Sequence, residues 1–204
     1  MNRSAPAYRM RARADAVEAT RGRLIQSALA AFSARLYDDV TIASVARDAG
    51  VSHQTLLNHF GSKEGLYSAA VEVAAERISE TRAGAIPGDA ASVVGALMDQ
   101  YEAHGDANAR AAALDERIPA VAAMLVRARA YHQQWLAEMF ADHLPAAGAR
   151  RRDALAALHA ATDVYTWKLL RRDLGLSRRA TSDTMTRIVT ALLRTTPADT
   201  RRTR

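Results

Sequence analysis

The segment that most constrains the fold is residues 41–63, TIASVARDAGVSHQTLLNHFGSK. Ile42, Val45 and Ala46 recur at helical spacing, and Gly50 then interrupts that pattern. A glycine can adopt the positive φ angle that a tight turn between two steeply crossed helices requires. The segment therefore predicts two short helices joined by a turn.

The second of these helices has one apolar side and one polar side. Ser52 is expected to cap it, because a serine hydroxyl accepts a hydrogen bond from a free amide of the first turn. Leu56 and Phe60 are four residues apart and face the same side. The polar side comprises His53, Gln54, Thr55, Asn58 and His59. Ala46, Gly50 and Leu56 have the spacing of a helix-turn-helix motif, whose second helix enters the DNA major groove.

The polar side has the chemistry of base recognition. Gln54 and Asn58 can each form two hydrogen bonds with adenine, and serine, threonine and histidine can contact bases or phosphates. The structural alternative is an ordinary αα-hairpin with a polar outer face, and spacing alone leaves that alternative open.

The same segment resembles the signature of the TetR family of transcriptional regulators. The matching residues are Thr41, Ile42, Ala43, Ala49, Gly50, Val51, Ser52, Thr55, Leu56, Phe60, Ser62, Lys63 and Glu64. The resemblance covers about residues 20–67. It implies an all-α homodimer with an N-terminal three-helix helix-turn-helix DNA-binding domain and a C-terminal helical domain for effector binding and dimerisation.

The resemblance also implies which residues contact an operator in double-stranded DNA. Contacts with bases or nearby phosphates are expected from His53, Gln54, Thr55, Asn58 and His59, and contacts with the backbone from Thr41, Ser52 and Lys63. Lys63 begins the next helix, where free backbone amides also favour a phosphate. Leu57 departs from the family, which usually has a phosphate-binding tyrosine at this position.

The composition excludes several classes of protein. The chain of 204 residues has no cysteine, which excludes disulfides, cysteine-ligated zinc and thiol catalysis. Hydrophobic residues make up 49% of it and aromatic residues only 5%, which favours helices over sheets. Its apolar runs are too short to span a membrane, and its N-terminus is not a secretory signal. We therefore expect a soluble cytoplasmic protein without a cofactor or bound metal.

The net charge of +6 is unevenly distributed. Residues 1–23 contain six arginines and two acidic residues, whereas residues 148–204 contain thirteen basic and five acidic residues. Most of the basic excess therefore lies outside the predicted DNA-binding motif, and the basic N-terminal arm indicates DNA better than the overall charge does. In that arm Arg3, Arg9, Arg11 and Arg13 are candidates for contact with a minor groove; a solvated tail is the alternative.

We predict four segments: a flexible basic arm (1–19), the DNA-binding domain (20–67), an effector-binding and dimerisation domain (68–194) and a loose tail (195–204). The first helix is expected over residues 20–36, with Leu36 at the end of its apolar stripe. His104, Gly105 and Asp106 are expected to end a helix that begins near residue 89. Further helices are expected over residues 63–82, 107–116, 119–143, 150–174 and 178–194.

Candidates for an effector pocket are polar or bulky residues on otherwise apolar stripes. They are Tyr101, His132, Trp135, His159 and Thr162, with Met98, Met124 and Met139 as flexible apolar neighbours. Ordinary core packing is the alternative for each of them. Trp167 is expected to face solvent or a dimer partner. The last two helices are expected to form the dimer interface, because a dimer places two recognition helices on successive turns of a palindrome.

Two other functional classes are weighed against this interpretation. An enzyme would need a nucleophile with a base or a metal set, and the chain has no HExxH motif and no glycine-rich phosphate loop. Its histidines are scattered over several predicted helices, so no enzyme is expected. A helical dimer that binds a small molecule or protein but has lost DNA binding is the third hypothesis, and only Leu57 favours it. A salt titration of DNA binding separates it from the regulator.

Overall fold

The computed structural model describes residues 4–114 and 118–195, a part of the chain in which every regular element is helical. The α-helices are α1 (Ser4–Ala34), α2 (Ile42–Asp48), α3 (His53–Phe60), α4 (Lys63–Arg82), α5 (Ala90–Ala112), α6 (Pro119–Met139), α7 (Gly148–Thr162), α8 (Val164–Lys168) and α9 (Arg178–Thr195). The chain forms two compact units, an N-terminal unit (Met1–Ala74) and a C-terminal unit (Ala75–Arg204). Within the described ranges, no helix has the length and apolar character needed to cross a membrane.

The first helix of the N-terminal unit begins well before the predicted residue 20. α1 starts at Ser4, so the segment expected to be an irregular arm is helical from that residue onward. Alanine and arginine are strong helix formers, and they favour a helix there without any apolar periodicity. Arg3 lies outside the described residues. Contact between the arm and DNA stays a prediction.

The core of the N-terminal unit joins α1 to the two motif helices and to α4. Leu24, Val45, Leu56 and Leu66 are all at most 1% exposed within it. The Ser27 hydroxyl donates a hydrogen bond to the Val45 carbonyl oxygen at 3.1 Å, which fixes α1 against α2.

Leu36 does not join that core, contrary to the prediction, and its side chain is 57% exposed. α1 ends at Ala34, and Leu36 has extended backbone angles before a 3-10 turn at Tyr37–Asp39. The Leu36 side chain therefore lies outside the apolar stripe of α1, to which the sequence pattern had assigned it.

In the C-terminal unit, α5 is one continuous helix and the predicted break at His104, Gly105 and Asp106 is wrong. Gly105 lies within the helix, and a Cβ atom placed on it would be 2.6 Å from Cη2 of Trp167. The glycine permits the close approach of the indole ring to α5, and it does not mark a turn. The first residues of the separate helix predicted over 107–116 belong to α5 instead. Its last two residues, 115 and 116, lie outside the described part of the chain.

Trp167 is fully buried, so its predicted exposure to solvent or a partner is wrong. α7 ends at Thr162, and the carboxylate of Asp163 caps α8 by accepting a hydrogen bond from the Tyr165 amide at 2.8 Å. This break interrupts the long helix predicted over 150–174 and resets its periodicity, which turns the indole ring inward. A π-helical turn, Leu169–Asp173, follows α8. Of the predicted loose tail, residues 196–204 lie outside the described residues.

Candidate nucleic-acid interface and buried polar cluster

The turn of the motif is a Schellman-type helix ending. Gly50 has φ +70°, as predicted for a turn glycine. The Val51 amide donates to the Ala46 carbonyl oxygen at 3.0 Å, and the Gly50 amide donates to the Arg47 carbonyl oxygen at the same distance. These two hydrogen bonds satisfy carbonyl groups at the end of α2. They fix the direction in which the chain enters α3.

Both motif helices begin at side-chain caps. Thr41 Oγ1 accepts a hydrogen bond from the Ser44 amide at 3.1 Å and starts α2. Ser52 Oγ accepts one from the Thr55 amide at 3.0 Å and starts α3, as the sequence predicted. Each cap satisfies an amide that would otherwise lack an intrahelical partner.

The α3 helix buries Leu56 completely and presents its opposite side on the surface of the N-terminal unit. His53, Gln54 and Asn58 are exposed on that side. Gln54 Nε2 donates to Asn58 Oδ1 at 3.0 Å, so the two amides lie next to each other along the helix. Thr55 and His59 are half-buried at its edges. Together these side chains form an almost uncharged row of donors and acceptors.

Lys63 begins α4, the helix after α3, and already has contacts within the unit. Its Nζ atom is 4.2 Å from the centroid of the Tyr37 ring and 3.5 Å from the Asp38 carbonyl oxygen. An ammonium group has three donors, so an additional acceptor can be bound without losing the Asp38 contact. The structure places the lysine at the start of α4, where free backbone amides favour an anion.

Two further residues lie on or against α3. Leu57, at the position where a tyrosine is usual, is half-buried. Arg21 was missed by the sequence analysis, and its guanidinium group lies 5.5 Å from the centroid of the Phe60 ring at the end of α3. Arg21 is on α1, so no local spacing in the motif connects it to α3.

The C-terminal unit contains a buried polar cluster formed by Arg82, Gln100, Tyr101, His132 and Thr162. Arg82 Nε donates to Gln100 Oε1 at 2.8 Å, and Arg82 Nη1 lies 3.0 Å from His132 Nδ1. His132 Nε2 lies 2.9 Å from Thr162 Oγ1. The Tyr101 hydroxyl donates to the Thr162 carbonyl oxygen at 2.8 Å.

These hydrogen bonds define the state of the histidine. Arginine can only donate, so His132 Nδ1 accepts and its Nε2 carries the proton. The Thr162 hydroxyl accepts a hydrogen bond from His132 Nε2–H and donates one to the Leu158 carbonyl oxygen at 2.7 Å. Burial, together with the positive charge of Arg82, lowers the pKa of His132 to about 3. The imidazole is therefore neutral at physiological pH.

Two more predicted effector residues lie beside the cluster. The His159 ring meets the His132 ring edge-on at 4.8 Å, and the Trp135 ring is stacked near His132 at 6.1 Å. His159 Nε2 is 3.4 Å from Asp163 Oδ2, and both residues line an open depression of about 490 Å³. Burial opposes ionisation of Asp163, but hydrogen bonds from His159 and the Tyr165 amide hold the pKa of its carboxyl group below the usual value.

The structure thus brings together Tyr101, His132, Trp135, His159 and Thr162, which the sequence singled out separately. Met98 belongs to the buried apolar core that includes Tyr101 and Trp135, and Met139 packs against that core; Met124 is half-buried. Arg82 and Gln100 were not predicted. The sequence does contain a signal for Gln100, which follows Val93 by seven residues and Leu97 by three and so lies on the buried side of α5.

The capped helices, the glycine turn and the outward polar side of α3 define the N-terminal unit as a helix-turn-helix DNA-binding domain. Residues 24–76 match the family model described as bacterial regulatory proteins, tetR family. The predicted TetR-family resemblance is thereby confirmed, as is the all-α fold with its C-terminal helical region.

Solved structures share this fold. A tetR-family transcriptional regulator from Streptomyces coelicolor is 22% identical, with a TM-score of 0.69 over 86% of this chain and 79% of its own. A transcriptional regulator from Rhodococcus sp. Rha1 is 17% identical, also with a TM-score of 0.69, over 85% of this chain and 96% of its own. At these identities the likeness concerns the fold. No curated protein matches the chain significantly.

Proposed function

We propose that this protein is a ligand-responsive transcriptional repressor that binds a palindromic operator as a homodimer and is released by a small-molecule effector. The observation that supports DNA binding is the orientation of α3. Leu56 anchors the helix in the core at 0% exposure, while Gln54 and Asn58 lie exposed on the opposite side. A helix held in this way can enter a major groove without refolding the unit.

The proposed DNA contacts divide into two kinds. Gln54 and Asn58 have the amide groups that pair with adenine, and His53, Thr55 and His59 flank them for contacts with bases or phosphates. Thr41, Ser52 and Lys63 lie at helix N-termini, where backbone amides also favour phosphate binding. The first kind supplies sequence preference, and the second supplies position and affinity.

A homodimer follows from this mode of recognition, because one α3 helix covers only a few base pairs. We assign the interface to the last helices of the C-terminal unit. Tyr165 and Leu169 there are 49% and 50% exposed, and Ile188 on α9 is 39% exposed. Apolar side chains of this size on one pair of helices support an interface with a second copy.

We assign effector binding to the C-terminal unit, at the buried polar cluster and its neighbours. Tyr101, His132, Trp135, His159 and Thr162 would provide polar and aromatic contacts, and Met98, Met124 and Met139 an adaptable apolar lining. The effector must bind one dimer geometry more tightly than another, and release follows when the favoured geometry no longer matches the spacing of the operator.

Alanine variants of the α3 surface test the proposed DNA contacts. Gln54→Ala with Asn58→Ala should lower affinity for the operator by at least about 5- to 150-fold, since the loss of even one of the two well-paired base contacts costs about 1–3 kcal/mol. Lys63→Ala should weaken binding to every duplex alike. It should also reduce the slope of log affinity against log salt concentration by about 1, the contribution of one phosphate contact. Both are measured by mobility shift on DNA from the chain's own upstream region.

A matched control exists on α6. Gln134 and Glu138 form an exposed side-chain hydrogen bond of 3.0 Å with the same four-residue separation as Gln54 and Asn58. Gln134→Ala should leave DNA binding unchanged. If the α3 double variant and Lys63→Ala both bind like the wild type, the assignment of this surface to DNA is wrong.

A further inference from the structure

Among the described residues, Arg82 is buried without an opposite charge. Its side chain is in the last turn of α4, and the residue is only 5% exposed. In the part of the chain that the structure describes, its hydrogen-bond partners are the neutral Gln100 and His132, and no carboxylate pairs with it. Burial lowers the pKa of its guanidinium group, as expected when desolvation disfavours the charged form.

Such an arrangement is unusual because buried charges are ordinarily paired with an opposite charge. Neutral acceptors replace only part of the hydration that the guanidinium group loses on burial. His132 cannot supply a negative charge, and Gln100 offers one amide oxygen. The ionised carboxylate of Asp163 acts on His132 but lies against His159, so the guanidinium group of Arg82 itself stays unpaired. In surroundings of low dielectric constant such a group attracts an incoming anion strongly.

Arg172, also in the C-terminal unit, has a carboxylate partner of the kind that Arg82 lacks among the described residues. The guanidinium groups of Arg82 and Arg172 both lie 4.7 Å from the centroid of a tryptophan ring, Trp135 and Trp167 respectively. Arg172 also donates to both carboxylate oxygens of Asp106, with Nη2 at 3.1 Å from Oδ2. Both arginines thus contact a tryptophan ring, and of these two, within the described residues, Arg172 is paired with a carboxylate and Arg82 is not.

The unused donors of Arg82 have a defined geometry. A guanidinium group has five N–H donors in one plane, and Nε and Nη1 are directed to Gln100 and His132. Nη2 has no hydrogen-bond partner among the described residues. The Trp135 and Tyr131 rings lie near the guanidinium group, with centroids at 4.7 and 5.6 Å. The Trp135 ring is buried at 7% exposure, whereas Tyr131 is 40% exposed and places one side of the site near the surface.

We propose that Arg82 binds the carboxylate group of the effector, so that the effector is an organic acid with an apolar or aromatic body. A carboxylate can accept two parallel hydrogen bonds along the Nη1–Nη2 edge of the guanidinium group, one from Nη2 and one from the N–H of Nη1 that His132 does not use. Trp135 and Tyr131 cover the apolar body, and Gln100 and His132 hold the guanidinium group in position. This inference rests on the proposed function, because it specifies the chemistry of the effector at the site assigned above.

The test compares benzoate with its neutral analogue benzamide on the full-length protein at constant ionic strength. Benzoate should raise the melting temperature of the wild type by about 2–4 °C as it approaches saturation, whereas benzamide should not. Arg82→Gln should abolish the benzoate shift, since glutamine keeps hydrogen bonding but removes the charge. Arg172→Gln is the matched control and should retain the shift, because that arginine already has a carboxylate.

Arg82→Lys is the second variant, in case the glutamine variant does not fold. It keeps the buried positive charge but loses the fork, and it should reduce the shift by at least half. Equal shifts with benzoate and benzamide, no benzoate shift in the wild type, or a full shift in Arg82→Lys or Arg82→Gln would each overturn the proposal.

A parallel mobility shift separates this inference from the proposed function. If benzoate stabilises the protein through Arg82 but leaves a measurable DNA complex intact, the carboxylate site stands and the effector role fails. If the protein binds no DNA at all, the proposed function fails, and the thermal shift still decides whether Arg82 binds a carboxylate.

Discussion

Two glycines of α5 should respond in opposite ways to replacement by alanine. Gly95 has no atom within 4 Å of the position that a Cβ atom would occupy. At Gly105 the same atom would lie 2.6 Å from Cη2 and 2.8 Å from Cε3 of Trp167. The indole ring is fully buried, with its Nε1 hydrogen-bonded to Glu102 Oε1 at 3.3 Å and Arg172 over its face. It has little freedom to move away.

The magnitudes follow from these surroundings. Alanine is favoured over glycine within a helix by about 1 kcal/mol, so Gly95→Ala should stabilise the C-terminal unit by roughly that amount. Gly105→Ala gains the same preference but forces a methyl group into a filled space, which costs about 1–3 kcal/mol. The propensity cancels between the two variants, and Gly105→Ala should therefore be less stable than Gly95→Ala by about 1–3 kcal/mol.

Tryptophan fluorescence in a urea titration measures this difference. Both tryptophans of the chain, Trp135 and Trp167, lie in the C-terminal unit, so their emission reports on that unit alone. The variants must be compared at one protein concentration, because dimerisation would make the midpoint concentration-dependent. Equal midpoints for the two variants would refute the close packing of Gly105 against Trp167.

Two further predictions concern the motif turn and the buried histidine. Gly50→Ala should destabilise the N-terminal unit by about 1–2 kcal/mol, because the φ of +70° at Gly50 is unfavourable for alanine although the space is open. Gly22→Ala, in α1 with equally open space, should instead stabilise that unit. Both changes are measured by circular dichroism in a urea titration. The folded-state pKa of His132 is about 3, below the ordinary 6.5, so its protonation favours unfolding as the pH falls below 6.5. The wild type should lose up to about 1.4 kcal/mol per pH unit there, and His132→Gln should lose less; parallel pH profiles would contradict the buried neutral state.

The features that sequence analysis predicted correctly are encoded within a few residues. Ser52 and Gly50 act on amides and carbonyl groups of their own helix ends, so their roles follow from local spacing. The polar side of α3 follows from the helical period, because Leu56 defines which side is buried. The start of α1 is not predicted by apolar periodicity, which that segment lacks, and follows from the helix propensity of its alanine and arginine residues.

The features that sequence analysis missed depend on distant residues. Arg82 and His132 are 50 residues apart, and no local pattern indicates that the end of α4 meets the middle of α6. Gly105 was predicted to break a helix because glycine usually does so, whereas here its missing side chain admits Trp167 from α8. The break at Asp163 decided the orientation of that tryptophan, and helical periodicity cannot be extended across such a break.

The central claim is that the outward side of α3 contacts DNA, twice in each assembly. Sequencing the duplexes that the protein selects from a random pool tests it most directly. We predict an inverted repeat whose half-sites are separated by about one helical turn, 10–10.5 base pairs between centres, and whose enrichment disappears with Gln54→Ala and Asn58→Ala. Selection of a single unrepeated site, no enrichment at all, or the same repeat selected by the double variant would contradict the account.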